Sequence, residues 1–113
     1  MLRSENRLKK RKEFNYIYKK GESFGSKFVA LYCSNTPKRV KKVGFSVSKK
    51  YGNAVERNRI KRVLREVLRS LLPLMKNEFN YILIVKSELK DKQFKEIFSI
   101  VRNMLDKNDL IKL

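Results

Sequence analysis

Residues 43–73, VGFSVSKKYGNAVERNRIKRVLREVLRSLLP, change hydrophobic period part-way, and that change decides the fold class. Val43, Phe45 and Val47 alternate with Gly44, Ser46 and Ser48, the period of two that sets an apolar face of a strand against a small, polar one. From about Ala54 to Leu72 the period lengthens. Ile60, Val63, Leu64, Val67, Leu68 and Leu71 recur at i, i+3 and i+4, and Pro73 marks the stop, which predicts an amphipathic helix. A strand running into a helix with one apolar stripe calls for a sheet that the helix can cover.

Working outward, Lys12 to Lys20 places Phe14, Ile17 and Tyr18 at helical spacing, and Gly21 suits the left-handed position after a helix. Phe28 to Cys33 predicts a strand, Ser34-Asn35-Thr36-Pro37 a turn, and Lys42 to Ser48 a second strand. Together they suggest a hairpin with a basic loop of Lys38, Arg39, Lys41 and Lys42. On the C-terminal side, Tyr81 to Val85 is almost continuously apolar, as a central strand is. Phe94, Ile97, Phe98, Val101 and Leu105 then mark a final amphipathic helix. The order αββαβα predicts an α+β fold, or α/β sandwich, with helices over one face of a mixed sheet. No repeat, low-complexity tract or linker divides residues 1–113, so a single domain is expected.

The composition narrows the function. Apolar residues at 42% can close a core, so the excess of 29 Lys+Arg over 11 Asp+Glu, a net +18, belongs to a folded surface. Seven basic residues and one acid lie between Arg7 and Lys20, and eight basic and two acidic between Lys49 and Arg69. From Lys76 onward the balance is only eight to six. An anionic partner is therefore expected on the first two thirds of the chain. The chain has no histidine and one cysteine, Cys33, which excludes the usual His/Cys zinc sites and His-activated nucleophiles. Phosphate-loop and dinucleotide motifs are absent, and the carboxylates form no paired cluster, so no catalytic or metal-ligating residue is assigned. The lone cysteine suits a reducing compartment. With no signal-like segment and no run near the ~20 residues of a membrane span, a soluble cytoplasmic protein is expected, with no membrane partner.

Two constellations point to nucleic acid. On the helical wheel Asn58, Lys61, Arg62, Arg65 and Arg69 share one face, flanked by Arg57 and Arg59, while Glu56 and Glu66 are the only acids available to neutralise them. A solvated face is the commoner fate of such charges, and the scarcity of acids argues against it. The second group is Phe14, Tyr16 and Tyr18 among Arg11, Lys12, Lys19 and Lys20, where rings could stack on bases between cations or face the core. On the first predicted strand, periodicity alone leaves open whether Phe28, Ala30 and Tyr32 or Val29, Leu31 and Cys33 face inward.

The run from Val43 through Ala54-Val55-Glu56-Arg57-Asn58-Arg59-Ile60-Lys61-Arg62 to Glu66 closely resembles the signature of the protein subunit of bacterial ribonuclease P. Arg7-Leu8 followed by Phe14 to Tyr18 and Gly21 resembles that family's N-terminal helix, so the likeness covers nearly the whole chain. The resemblance implies a ribosomal-protein-like sandwich with a left-handed βαβ crossover, against the usual hand. It implies an endoribonuclease subunit that binds a catalytic RNA and the 5′ leader of precursor tRNA, one protein per RNA. Magnesium would be coordinated mainly by the RNA, and the protein alone would bind no cofactor. Carried onto this sequence, it places Lys49, Lys50, Asn53, Arg57, Asn58, Arg59, Lys61, Arg62 and Arg65 at the catalytic RNA. The leader groove would be lined by Phe14, Tyr18, Ala30, Tyr32, Ser46 and Ser48, with Val29 and Leu31 in the core. A basic ribosomal or other structural RNA-binding protein is the main alternative; a self-sufficient nuclease and a DNA-binding module fit less well.

Overall fold

The computed structural model describes residues 4–36 and 41–112. Among the described residues, three α-helices, α1 (Arg11–Lys20), α2 (Ala54–Leu71) and α3 (Phe94–Lys107), accompany four strands, β1 (Glu22–Gly25), β2 (Val29–Asn35), β3 (Val43–Val47) and β4 (Phe79–Val85). The sheet is mixed, in the order β1-β2-β4-β3; β1 and β4 both run antiparallel to β2, and β3 runs parallel to β4. The α+β reading holds, with a parallel β3-α2-β4 crossover that joins edge strand β3 to interior strand β4.

The expected β2-β3 hairpin does not form. β4 lies between those strands because Tyr81, Ile82, Leu83 and Val85 are all buried, and a strand apolar on both faces belongs in the middle of a sheet. The hairpin that does form joins β2 to β1, which the sequence reading missed. Its turn is closed by Ser26, whose backbone N–H donates to the Val29 carbonyl at 2.9 Å. With one large apolar residue, Phe24, in four, β1 carries too little pattern to be read locally. β2 also runs past the expected turn, since Ser34 and Asn35 pair with Asn80 and Phe79.

Gly21 does not take the left-handed conformation. Its backbone is extended (φ −83°, ψ 170°), and a Cβ there would lie 2.5 Å from the Cys33 carbonyl oxygen and 2.6 Å from that of Ile17. Glycine is needed for this close approach as α1 passes straight into β1.

The helices cover both faces of the sheet rather than the one expected, because the apolar stripe of α1, at Phe14 and Ile17, packs on the face opposite α2 and α3. Against α2 and α3 lie Val29, Leu31 and Cys33 of β2, Val43 of β3, and Tyr81, Leu83 and Val85 of β4, packed on side chains such as Leu64, Leu68, Ile97 and Val101. This resolves the inward face of β2. The opposite face carries a smaller cluster of Leu8, Ile17 and Ile82 under α1, with Phe14, Tyr32 and Ile84 packed around it. Alternation along β4 divides its apolar run between the two layers.

The predicted basic loop divides too. Lys38 and Arg39 lie outside the described residues. Lys41 is buried and its Nζ donates to the Met75 carbonyl at 2.7 Å, while Lys42 pairs with Glu13 of α1 at 3.3 Å. Both described lysines of that loop thus tie layers together. The chain end is fastened nearby, where Ile111 bridges Met75 and the Lys112 N–H donates to the Leu74 carbonyl at 2.7 Å.

Candidate nucleic-acid interface

The start of α2 is set by a reciprocal cap. The Asn53 Oδ1 accepts from the Glu56 N–H at 2.9 Å, and a Glu56 carboxylate oxygen accepts from the Asn53 N–H at 3.0 Å. Glu56 also meets Lys90 at 2.9 Å, and the Lys90 ammonium together with the Asn53 N–H holds its carboxyl below the ordinary value. A Cβ on residue 52 would stand 2.5 Å from that carboxylate, so Gly52 clears space for it. Arg57 then reaches back, donating to the Gly52 carbonyl at 2.7 Å. The acid nearest the arginine-rich motif is therefore an anchor for the helix.

Helical geometry divides the basic stripe. Arg59 and Lys61, two residues apart, stand about 200° apart around α2. Arg59 lines an opening toward the start of α3, beside Lys90, Asp91 and Phe94. Lys61 and Arg65 line another on the opposite side, shared with Arg7 and Phe14. Asn58 and Arg62 are exposed between them, and Arg69 is paired with Glu66 at 3.5 Å. Lys49 and Lys50 are exposed on a 3-10 turn (Lys49–Tyr51) leading to Asn53, above the buried Tyr51. The nine residues expected at the catalytic RNA are thus contiguous in the fold, but wrap more than half of the helix surface.

The aromatic group converges. Tyr18 meets Tyr32 edge-on with ring centroids 5.0 Å apart, and Phe14 stands 6.5 Å from Tyr18. The Phe14 ring lies over Gly44, where a Cβ would come within 2.5 Å of it. Cross-strand pairing sets Ala30, Ile84 and Ser46 side by side in one row of the face bearing α1, next to the row of Tyr32, Ile82 and Gly44. Rings therefore wall a shallow groove whose open floor is small at Ala30 and Ser46, with Gly44 buried beneath Phe14. Ser48 lies beyond the end of β3, exposed, on the way to the lysine turn. Tyr16, 57% exposed, does not join the ring cluster.

Two contributors escaped the sequence reading. Ile84 was hidden in the continuous apolar run of β4, where alternation marks it only once the strand is known to be covered differently on its two faces. Arg7 lies far from α2 in sequence, and only the backbone bridge between Arg7 and Val43 brings it to Lys61 and Arg65. Cys33 belongs to the core; burial, reinforced by the Glu22 carboxylate, pushes its thiol up to about 11, so it stays protonated at neutral pH.

Both the sequence and the fold match known proteins. The sequence model of the ribonuclease P family matches residues 2–109. The chain belongs to the ribonuclease P protein family. It is 36% identical over 104 residues to the ribonuclease P protein component of Clostridium botulinum (strain Loch Maree / Type A3), covering 91% of this chain and 94% of that one. Its fold is similar to the solved ribonuclease P protein of Staphylococcus aureus, with a TM-score of 0.86, 32% identity, and coverage of 95% of this chain and 98% of that one. The ribonuclease P protein of Thermotoga maritima is similar as well, with a TM-score of 0.82, 25% identity, and 89% and 96% coverage. As a ribonuclease P protein component, the chain is the partner of an RNA subunit in a tRNA-processing ribonuclease.

Proposed function

We propose that this ribonuclease P protein supports 5′ maturation of precursor tRNA by holding a catalytic RNA on α2 and its lead-in, and the single-stranded leader in the aromatic groove. The observation that carries this reading is the pairing of the two surfaces. Exposed Asn58, Arg59 and Arg62 suit the phosphates of a folded RNA, which cations position without reading sequence. The groove between Tyr18, Tyr32 and the Ala30/Ser46 floor suits a single strand, whose unstacked bases can lie against rings, at about 1 to 3 kcal/mol per base. A duplex has no free base faces to offer it.

The chemistry is assigned to the RNA. Glu13, Glu56 and Glu66 each face a cation of the protein, Lys42, Lys90 and Arg69, so these carboxylates make a poor donor set for a divalent ion. Magnesium is accordingly placed mainly on the RNA subunit. The complex is taken to hold one protein per RNA and to work in the cytoplasm.

The test combines protein, candidate catalytic RNA and precursor tRNA at low magnesium. Stimulated cleavage at the mature 5′ end supports the assignment; a ribosomal or structural RNA-binding protein gives none, and a self-sufficient nuclease cleaves without the RNA. Tyr18→Ala and Tyr32→Ala should lower the precursor-to-mature tRNA affinity ratio by about fivefold or more while leaving assembly with the catalytic RNA intact. If both variants fold and the ratio stays the same, the leader does not lie in this groove.

A further inference from the structure

The arginine-rich motif of α2 starts beside Glu56, the only acid among residues 54–65. An uncompensated carboxylate at this point would repel the phosphates that Asn58, Arg59 and Arg62 are suited to hold, because like charges brought together at an interface are costly. Both of its oxygens are engaged. Oε1 accepts from the Asn53 N–H at 3.0 Å, and Oε2 faces the Lys90 ammonium at 2.9 Å. That cation comes from another part of the chain, the connection between β4 and α3. Arg59, one turn along the helix from Glu56, lines the same opening as the pair and stays exposed.

Lys90 is delivered by a turn of defined geometry. The Lys92 N–H donates to the Leu89 carbonyl at 3.2 Å, Lys90 has φ −56° and ψ 141°, and Asp91 has φ 71°. These are the angles of a type II turn, whose third position favours glycine. Aspartate tolerates the left-handed conformation there better than most side chains do. Leu89, at the first position, is fully buried in the cluster that α2 and α3 cover, so the turn is fixed to the layer on which α2 lies. A partly exposed ion pair adds little to stability. This one joins a core-anchored turn to the capped start of α2, and its effect falls on where the Glu56 carboxylate points and on its charge.

We propose that Lys90 is a positioning residue for RNA binding: it holds Glu56 in the cap and neutralises it, so that the start of α2 presents Arg57, Asn58 and Arg59 without a competing anion. It acts through Glu56 and touches no RNA itself. This role rests on the reading above that α2 carries the catalytic RNA.

Affinity of the full chain for the candidate catalytic RNA, measured over a range of salt with folding verified by circular dichroism, tests it. Lys90→Met should weaken binding about fivefold, the upper range for a partly exposed ion pair, with the salt slope unchanged because no phosphate contact is lost. Lys90→Arg keeps the cation and should bind as the parent does. Lys107→Met, which removes an exposed cation at the far end of α3, should also bind as the parent does. With Glu56→Gln the acid is gone, so adding Lys90→Met to it should change affinity by less than about twofold. In the free protein, NMR titration should show the Glu56 carboxyl rising toward its ordinary value in Lys90→Met, since the Lys90 ammonium is the main influence lowering it. An unmoved carboxyl, parental affinity in Lys90→Met, or an equal loss in Lys90→Arg would each overturn the proposal. So would the same loss from Lys90→Met in both backgrounds with a flattened salt slope, which would make Lys90 a direct phosphate contact. Arg59→Ala keeps the two readings apart. If it weakens binding and Lys90→Met does not, the positioning role is wrong and α2 remains the RNA-binding helix; if neither does, the assignment of α2 falls as well.

Discussion

The two faces of the sheet carry different work. The face against α2 and α3 is sealed by large aliphatic side chains from all three elements, with Val29, Leu64, Leu71 and Tyr81 fully buried. Among the described residues, the face under α1 buries Leu8, Ile17, Ile82 and Gly44 beneath partly exposed rings, and Ala30 and Ser46 lie in its open part. Stability concentrates where burial is complete, at about 25 cal/mol per Å² of apolar surface. A sheet that is already secured on one side can leave its other side incompletely covered, and the surface left open is available to a ligand.

The largest effect should follow from breaking the sealed side. Leu64→Ala removes a fully buried side chain at the centre of that layer and should cost about 2 to 5 kcal/mol in denaturant unfolding. Ile84→Ala, on the other face, should cost less and should weaken precursor binding instead. Equal losses of stability for the two would mean that the faces contribute alike.

Lys41 sharpens the comparison, because it places a cation at the margin of the sealed layer. Burial, with the like charge of Lys112 nearby, lowers its ammonium to about 8 from an ordinary value of 10.5. Between those values the unfolded chain binds more protons than the folded one, so this residue makes stability rise with pH from about 8 to 10.5. Below that window the buried charge is a standing cost of up to about 3 kcal/mol. Lys41→Met should flatten the rise relative to the parent protein and stabilise it at neutral pH, less whatever the lost bond to the Met75 carbonyl contributed. Parallel stability-pH curves for the two proteins would assign the rise to other groups.

Smaller effects are expected on the open face. Gly44→Ala forces the Phe14 ring to move and should cost about 1 to 3 kcal/mol, together with a lower precursor-to-mature affinity ratio. Unchanged stability and ratio would show that the ring shifts freely. Least of all, Arg62→Ala should leave stability within about 0.5 kcal/mol, since the side chain is exposed. Its signature is the salt dependence of RNA affinity, flattened by about one unit at most. An unchanged slope would make Arg62 a solvated residue.

Local patterns in the sequence were enough to determine α2, α3, the central-strand character of β4, the concentration of charge, and the arginine-asparagine-arginine motif that carries the family resemblance. Periodicity reports which side chains share a face of one element, and composition reports the sign of the surface. Neither reports which strands become neighbours. The insertion of β4 between β2 and β3, the pairing of β1, and the burial of Lys41 depend on contacts between residues distant in sequence. So does the meeting of Arg7 with Lys61 and Arg65, which needs the N-terminal segment to lie along β3. Gly21 shows the same limit at a single residue: a glycine after a helix suggested a left-handed turn, but the requirement for glycine came from the Cys33 carbonyl of the neighbouring strand. Tertiary structure decided these features because their energies come from packing and pairing across the sheet, which no local window of sequence contains.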